Sequence, residues 1–126
     1  MELYFSYPSP YCQKVLIALY EKKVAFVGKL VNLMDPADVA EYRAVYPMGK
    51  VPLLVTDDNL LVPESSIIIE YLDQFEQSRR LIPADPDQAR NVRLWDRLAD
   101  QYLCSPVMGM LFESRKPAAE QSAANI

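Results

Sequence analysis

The first part of the chain alternates between short apolar segments and amphipathic helical patterns. Residues 2–6 are rich in β-forming side chains and predict a short strand. Ser9 and Pro10 are typical of the N-cap and first position of a helix, and apolar residues recur at helical spacing over 10–21. Residues 24–31 predict a second strand. The order strand, helix, strand is typical of parallel strands joined by a right-handed crossover.

A second group of elements follows. An Asp-Pro pair repeats the cap signal and predicts a helix over 37–45, which Pro47 ends. Residues 53–55 and 60–62 predict two short strands, and the Asp-Asp-Asn turn between them makes a hairpin. Residues 67–75 carry an apolar stripe and predict a third helix. The fold class predicted is therefore α/β: a small mixed sheet flanked by helices.

The pattern also divides the chain into domains. Residues 1–77 contain the whole predicted sheet, and residues 78–89 are charged and interrupted by prolines, as expected of a linker. Residues 90–126 predict the first part of an all-helical domain, in which Pro106 should kink or end the helix. Its apolar stripe consists of Val92, Trp95, Leu98 and Tyr102. Such a stripe needs a partner, so this domain is expected to be incomplete.

Composition narrows the classes of function. The chain has 126 residues, of which 51% are hydrophobic and 24% charged, and its net charge is −4. That balance is typical of a globular protein, and the negative charge argues against nucleic acid as a partner. No apolar run approaches the roughly 18–20 residues that span a bilayer, and the N-terminus lacks the pattern of a signal peptide. We expect a cytoplasmic protein without a membrane partner.

The available chemistry is restricted further by two counts. The chain has two cysteines, Cys12 and Cys104, with no CxxC pair, and it has no histidine. These counts exclude a disulfide framework, a cysteine-rich zinc site and any imidazole base or ligand. We therefore expect no metal. Catalysis would depend on hydroxyls, thiols, carboxylates and backbone dipoles.

The segment Ser9-Pro10-Tyr11-Cys12 raises the question of a nucleophile. Ser9 can be only a helix cap, or its hydroxyl can stabilise a bound thiolate beside the positive end of the helix dipole. Cys12 lies on the apolar face of the predicted helix, which is typical of an inert buried cysteine, but it could also be a redox thiol. Cys104 precedes Pro106 in an apolar stretch and is expected to be structural.

Two further pairs could contact a ligand. Val51-Pro52 is predicted to be trans from the residues alone, because only about 5% of X–Pro bonds are cis. A cis bond would turn the Val51 backbone outward, toward a peptide-like ligand. Glu64 and Ser65 precede the third helix and can be a simple cap. They can also bind a free amino-acid end, with the carboxylate on its ammonium and the hydroxyl on its carboxylate.

Three segments, SPYCQKVLIAL, YPMGKVPLLV and LLVPESSIIIEYLDQF, resemble the N-terminal domain of cytosolic glutathione transferases in their order and spacing. The resemblance covers about residues 2–77. It implies a thioredoxin-like βαβ-α-ββα domain followed by the beginning of an all-α domain. It also implies glutathione as the co-substrate, lying across the helix ends, and no metal.

The resemblance assigns glutathione-binding roles to five residues. Val51-Pro52 matches a cis bond whose Val51 backbone pairs with the cysteinyl part of glutathione. Glu64 and Ser65 match the positions that hold the γ-glutamyl end. Lys50 matches a position that often faces the glycyl carboxylate.

The implied function is a glutathione transferase, which activates the glutathione thiol for attack on a small electrophilic substrate. Ser9 matches the thiolate-stabilising hydroxyl of serine-type members, and Cys12 is the alternative catalytic residue. The family implies homodimers and a role in detoxification. Two other functions stay open: a glutathione-dependent thiol reductase using Cys12, and a non-catalytic interaction protein resembling the stringent starvation proteins.

Overall fold

The computed structural model describes residues 1–125, which form two compact units. The first unit is Met1–Ile82, and the second begins at Pro83. The boundary between them falls within residues 78–89, the segment predicted as a linker. No helix within residues 1–125 is both long and apolar enough to cross a bilayer.

The first unit is built from four strands and three α-helices. The strands are β1 Glu2–Phe5, β2 Val27–Leu30, β3 Leu53–Val55 and β4 Leu61–Pro63. The helices are α1 Pro10–Glu21, α2 Pro36–Val45 and α3 Ser65–Leu72. The second unit contains α4 Pro86–Ala99, a π-helical segment Asp100–Cys104 and α5 Ser105–Ser114.

The sheet has the strand order β2-β1-β3-β4. Strand β2 is parallel to β1, whereas β3 is antiparallel to both β1 and β4. This mixed sheet and its helices have the thioredoxin-like order βαβ-α-ββα. The fold class predicted from the sequence is confirmed.

Side-chain caps begin three of the helices. Ser9, Asp35 and Asp85 are the N-caps of α1, α2 and α4, and each accepts a backbone N–H from two or three residues later. A proline follows each cap, where its missing N–H costs nothing. The starts of α1 and α2, predicted from a Ser-Pro and an Asp-Pro pair, are confirmed.

Strand alternation divides the core between the two faces of the sheet. On one face, buried residues of β1, β3 and β4 pack against α1 and α3. This part of the core includes Leu3 and Leu54 from the strands, and Val15, Leu19, Ile68 and Leu72 from the helices. On the other face, Leu53 packs with Val31 and with Tyr42 of α2. Successive residues Leu53 and Leu54 thus serve different layers.

The predicted bounds of two strands are wrong, because residues at their ends belong to turns. Strand β2 was predicted over 24–31, but the Val24 N–H donates to the Leu19 carbonyl at 3.1 Å and continues the turn after α1. Strand β4 was predicted to begin at Leu60, but the Leu60 N–H donates to the Thr56 hydroxyl at 2.9 Å. The hairpin turn therefore includes Leu60.

The third helix was predicted over 67–75 and lies over Ser65–Leu72. It begins earlier because Glu64 is its N-cap. It ends earlier because the chain turns at Asp73, whose side chain bonds to the segment beyond the helix. Phe75 lies outside the helix and packs at the margin of the core.

The helix was predicted to kink or end at Pro106, and it does not end there, because α5 continues past this residue. Pro106 lies in the first turn of α5, and the preceding residues form a π turn in which the Ser105 N–H donates to the Asp100 carbonyl. A proline inside a helix loses one hydrogen bond and crowds the carbonyl four residues earlier. The wider π turn accommodates that defect without ending the helix.

A buried ion pair holds the C-terminal ends of α1 and α3 together. The Lys22 ammonium, which has no exposed surface, lies 3.0 Å from an Asp73 carboxylate oxygen. The Asp73 carboxylate also accepts the Leu81 and Ile82 N–H groups at 2.9 and 2.7 Å. Burial opposes ionisation of Asp73, but these backbone bonds and Lys22 outweigh it and lower the pKa of the carboxyl. Asp73 thus joins both helices to the end of the first unit.

We predict that Asp73→Asn destabilises the first unit by about 3 kcal/mol near neutral pH, because it leaves the Lys22 charge buried without its counter-ion. The pKa of Asp73 is lower in the folded chain, so its contribution is complete above the unfolded value of about 3.9 and declines as the pH falls below it. Denaturant unfolding followed by circular dichroism at several pH values measures both effects.

The matched control is Asp87→Asn, which removes the carboxylate of an exposed pair with Arg90. Such pairs contribute less than about 1 kcal/mol, so stability should barely change. An Asp73→Asn variant as stable as this control would show that the buried pair does not stabilise the unit.

Candidate functional site

The register of the sheet brings the predicted site residues to one edge. Leu53 pairs with Tyr4 of β1 on one side and with Pro63 of β4 on the other. The loop from β1 to Ser9, the loop through Val51 and the β4–α3 junction therefore leave the sheet at the same edge. Strand pairing thus brings together three motifs that lie far apart along the chain, near Ser9, Val51 and Glu64.

Ser9 is buried at this edge, as the N-cap of α1. Its hydroxyl oxygen accepts the Cys12 N–H at 3.2 Å. A hydroxyl that accepts one hydrogen bond still has its own proton to donate. The capping role is thus present, and the hydroxyl can still donate one hydrogen bond, either to the Cys12 thiol beside it or to an anion at the helix end.

Cys12 lies one turn into α1 and is completely buried among the apolar residues of the core. Its Sγ accepts the Ser6 N–H at 3.5 Å. Burial raises the pKa of the Cys12 thiol, and hydrogen bonds from the Ser9 side chain and the Ser6 backbone only partly offset that effect. Since the thiolate is the reactive form, this environment disfavours Cys12 as a nucleophile.

The loop before β3 presents backbone at the site edge. The Val51-Pro52 peptide bond is cis, so the trans prediction from residues alone is wrong and the expectation from the resemblance is confirmed. Within residues 1–125, the Val51 N–H and C=O form no backbone hydrogen bond. Lys50 is exposed beside them. This loop can offer a peptide-like ligand one donor, one acceptor and a cation.

Glu64 and Ser65 lie at the start of α3. Glu64 is the N-cap, but its side chain is exposed and makes no capping bond, whereas Ser65 is buried. The helix ladder begins at Ile68, whose N–H donates to the Glu64 carbonyl, so it does not use the N–H groups of the preceding turn. The carboxylate and the helix end thus face outward side by side.

The backbone of Glu64 is strained. Its φ is 71° and its ψ is 122°, in a region that a residue with a side chain rarely occupies. Strain of this kind costs on the order of 1–3 kcal/mol and occurs most often at functional sites. Lys23, Asn59 and Glu76 also have a positive φ, but among the predicted site residues only Glu64 does.

Two side chains that support this edge had no signal in the sequence. The Lys14 ammonium on α1 donates to the Ser66 hydroxyl on α3 at 3.1 Å, which ties the two helix starts together. The Tyr42 hydroxyl on α2 donates to the Lys50 carbonyl at 2.6 Å. Both contacts join residues whose proximity depends on helix packing, which a periodic pattern does not reveal.

The electrostatics of this edge favour a ligand that carries both a positive and a negative charge. The N-termini of α1 and α3 carry the positive ends of their dipoles, and Lys50 adds a full positive charge. Glu64 is the acidic group among the predicted site residues. Residues 1–125 contain no group of three or more His, Cys, Asp or Glu side chains suited to a metal ion. The edge can therefore bind carboxylates at the helix ends and an ammonium at Glu64.

Comparison with known proteins finds relatives that match most of this chain. The family described as "Glutathione S-transferase, N-terminal domain" matches residues 3–80. The uncharacterized GST-like protein YibF of Escherichia coli K12 is 35% identical over 124 residues, which are 97% of this chain and 59% of YibF.

Solved structures give the same picture. A glutathione S-transferase from Methylobacillus flagellatus with GSH bound superposes with a TM-score of 0.85 at 35% identity, over 99% of this chain and 60% of that protein. Another from Methylobacterium radiotolerans, in complex with glutathione sulfonate, has a TM-score of 0.83 at 32% identity, over 98% of this chain and 57% of that protein. The chain thus spans about three fifths of the length of these relatives.

We predict that Cys12 reacts with a thiol reagent only as the chain unfolds, because it is buried and its pKa is raised. Titration with a chromogenic disulfide, in native buffer and in denaturant, measures this. In a Cys104→Ser variant, which leaves Cys12 as the sole thiol, the native protein should show almost no reaction. Rapid modification of that variant would contradict the burial of Cys12 and favour the thiol reductase.

Proposed function

Because the chain belongs to the glutathione S-transferase family, we propose that it binds glutathione at this sheet edge and activates its thiol for attack on an electrophilic carbon. The observation that carries the proposal is the exposed, strained Glu64 beside buried Ser65 at the α3 start. The pair shares its edge with the Val51 backbone and Ser9. These groups match the successive parts of the tripeptide.

The γ-glutamyl end of glutathione carries an ammonium and a carboxylate on one carbon. The Glu64 carboxylate would pair with the ammonium. The Ser65 hydroxyl and the N–H groups at the start of α3 would bind the carboxylate, which the helix dipole also favours. Two opposite charges are thus satisfied by adjacent residues, which an ordinary cap does not require.

The middle and the other end of the tripeptide would lie along the loop before β3. The Val51 N–H and C=O would bond to the cysteinyl backbone in the manner of an added strand. The Lys50 ammonium would face the glycyl carboxylate. This arrangement directs the cysteinyl side chain toward the N-terminus of α1.

At that helix end, the Ser9 hydroxyl would donate a hydrogen bond to the glutathione sulfur. This bond and the α1 dipole each contribute on the order of 1 kcal/mol in favour of the thiolate. The thiol proton passes to solvent. The thiolate then forms a bond to the electrophilic carbon, whose leaving group departs with the electron pair of the broken bond. No imidazole base is needed, in keeping with a chain that has no histidine.

The alternatives differ in what they demand of this edge. A thiol reductase using Cys12 needs an exposed thiol with a low pKa, and the burial and raised pKa of Cys12 support the transferase instead. A non-catalytic interaction protein has no need of a strained glutamate beside a helix end. We retain the transferase as the proposal on these two observations.

We further propose that the protein works in the cytoplasm as a homodimer, with a role in detoxification. The resemblance to glutathione transferases supports a dimer, and the second unit exposes apolar side chains that a second copy or further helices could cover. Trp95 is 67% exposed, Tyr102 74% and Leu103 63%. Exposed apolar surface of this extent is typical of an interaction site.

We predict that Glu64→Gln weakens glutathione binding by about 1–3 kcal/mol, because a charged hydrogen bond to the ligand ammonium becomes a neutral one. Isothermal titration calorimetry of the wild-type chain and the variant measures it. Glu70→Gln, which removes the same charge further along α3, should bind as the wild type does. Equal affinity in Glu64→Gln would place the ligand elsewhere.

We also predict that Ser9→Ala raises the pKa of the bound glutathione thiol by about 1 unit, the effect of one lost hydrogen bond to a charged group. Thiolate absorbance in the ultraviolet, followed against pH in the complex, reports this pKa. Ser6→Ala is the control, since it removes a nearby hydroxyl and keeps the Ser6 N–H. An unchanged thiol pKa in Ser9→Ala would remove Ser9 from the mechanism.

A further inference from the structure

The loop that would bind the cysteinyl part of glutathione is held from behind by α2. Tyr42 lies on the face of α2 that packs on the sheet, and only 4% of it is exposed. Its hydroxyl donates to the Lys50 carbonyl at 2.6 Å. Lys50 directly precedes Val51, so this bond fixes the peptide that leads into the ligand-facing backbone.

The tyrosine ring is itself held in place. It stacks on Tyr4 of β1, with the ring centroids 5.3 Å apart and the planes 29° from parallel, and it meets the Tyr46 ring at 6.5 Å. Buried Val31 and Leu53 complete its surroundings. A hydroxyl on a ring this confined has a defined position relative to the sheet.

The hydroxyl stays a donor under all ordinary conditions. Burial, and then the neighbouring Tyr46, raise the pKa of Tyr42 well above its usual range. The phenol therefore keeps its proton near neutral pH. The Lys50 carbonyl therefore accepts the hydrogen bond from Tyr42 near neutral pH.

The turn between α2 and this loop has further restraints of its own. The Gly49 N–H donates to the Tyr46 carbonyl at 2.9 Å. Gly49 has a φ of 65°, and a Cβ there would lie 2.9 Å from the Arg43 Nε. The bond from the Gly49 N–H to Tyr46 orders the turn up to Gly49. The bond from the Tyr42 hydroxyl extends this order to Lys50.

We propose that Tyr42 is a positioning residue for the glutathione site, which holds the Lys50–Val51 backbone in the geometry that pairs with the cysteinyl backbone. The proposal rests on the proposed function. It assigns to α2 the task of ordering the loop before the ligand arrives. A preordered loop binds more tightly, because less conformational entropy is lost on binding.

The test is Tyr42→Phe, which removes one oxygen and keeps the stacked ring. In the ligand-free chain, we expect the backbone order parameters of Lys50 and Val51 from nitrogen-15 relaxation to fall, while those of α1 stay near the rigid value of about 0.85. By calorimetry, we expect glutathione to bind roughly 3- to 10-fold more weakly, the effect of one lost hydrogen bond. Tyr46→Phe removes a hydroxyl from the adjoining ring and should change neither quantity.

The order parameters of α1 separate local positioning from general loosening, and a double variant tests whether Tyr42 and Glu64 act independently. The losses from Tyr42→Phe and Glu64→Gln should add, since the two residues act on different parts of the ligand. Unchanged order parameters, unchanged affinity, or a fall in order throughout α1 would each overturn the proposal. If Glu64→Gln weakens binding and Tyr42→Phe does not, only the positioning role fails. If the wild-type chain binds no glutathione, the proposed function fails and the role of Tyr42 with it.

Discussion

The pairing of β3 with strands on both sides is the constraint on which the first unit depends. Leu53 lies opposite Tyr4 and opposite Pro63, so the end of β1, the start of β3 and the end of β4 coincide at one edge. Each predicted site residue lies in a segment that leaves the sheet at that edge. A slip of one residue would exchange the faces of Leu53 and Leu54, and so exchange the two layers of the core. The hydrophobic core and the site geometry are thus specified by the same register.

The two ends of the helix layer have different tasks. Away from the site, the Lys22–Asp73 pair satisfies the buried charges and joins the ends of α1 and α3 to the chain beyond them. At the site, the starts of the same helices carry the buried hydroxyls of Ser9 and Ser65 and an exposed Glu64. Helix ends that are closed by the protein stabilise the fold, whereas ends left open can be completed by a ligand.

The opposite face of the sheet contributes differently. Helix α2 packs Tyr42 against the sheet and reaches the Lys50 carbonyl from within the core. The backbone that leads into the Val51-Pro52 bond is therefore bonded to the helix layer on this face of the sheet.

The sequence by itself determined the starts of α1 and α2, because Ser-Pro and Asp-Pro pairs act through bonds between near neighbours. It also determined the element order and placed Cys12 on the apolar face of α1, both of which follow from local periodicity. Only the tertiary structure decided the exact ends of β2 and β4, the passage of the helix through Pro106 and the contacts of Lys22 with Asp73 and of Tyr42 with Lys50. Those features depend on turns, on a π segment and on residues up to 51 positions apart, which meet only when the layers pack. For Glu64, the sequence predicted the place before a helix. It did not predict the strained backbone, because that conformation is imposed by the strand and helix on either side.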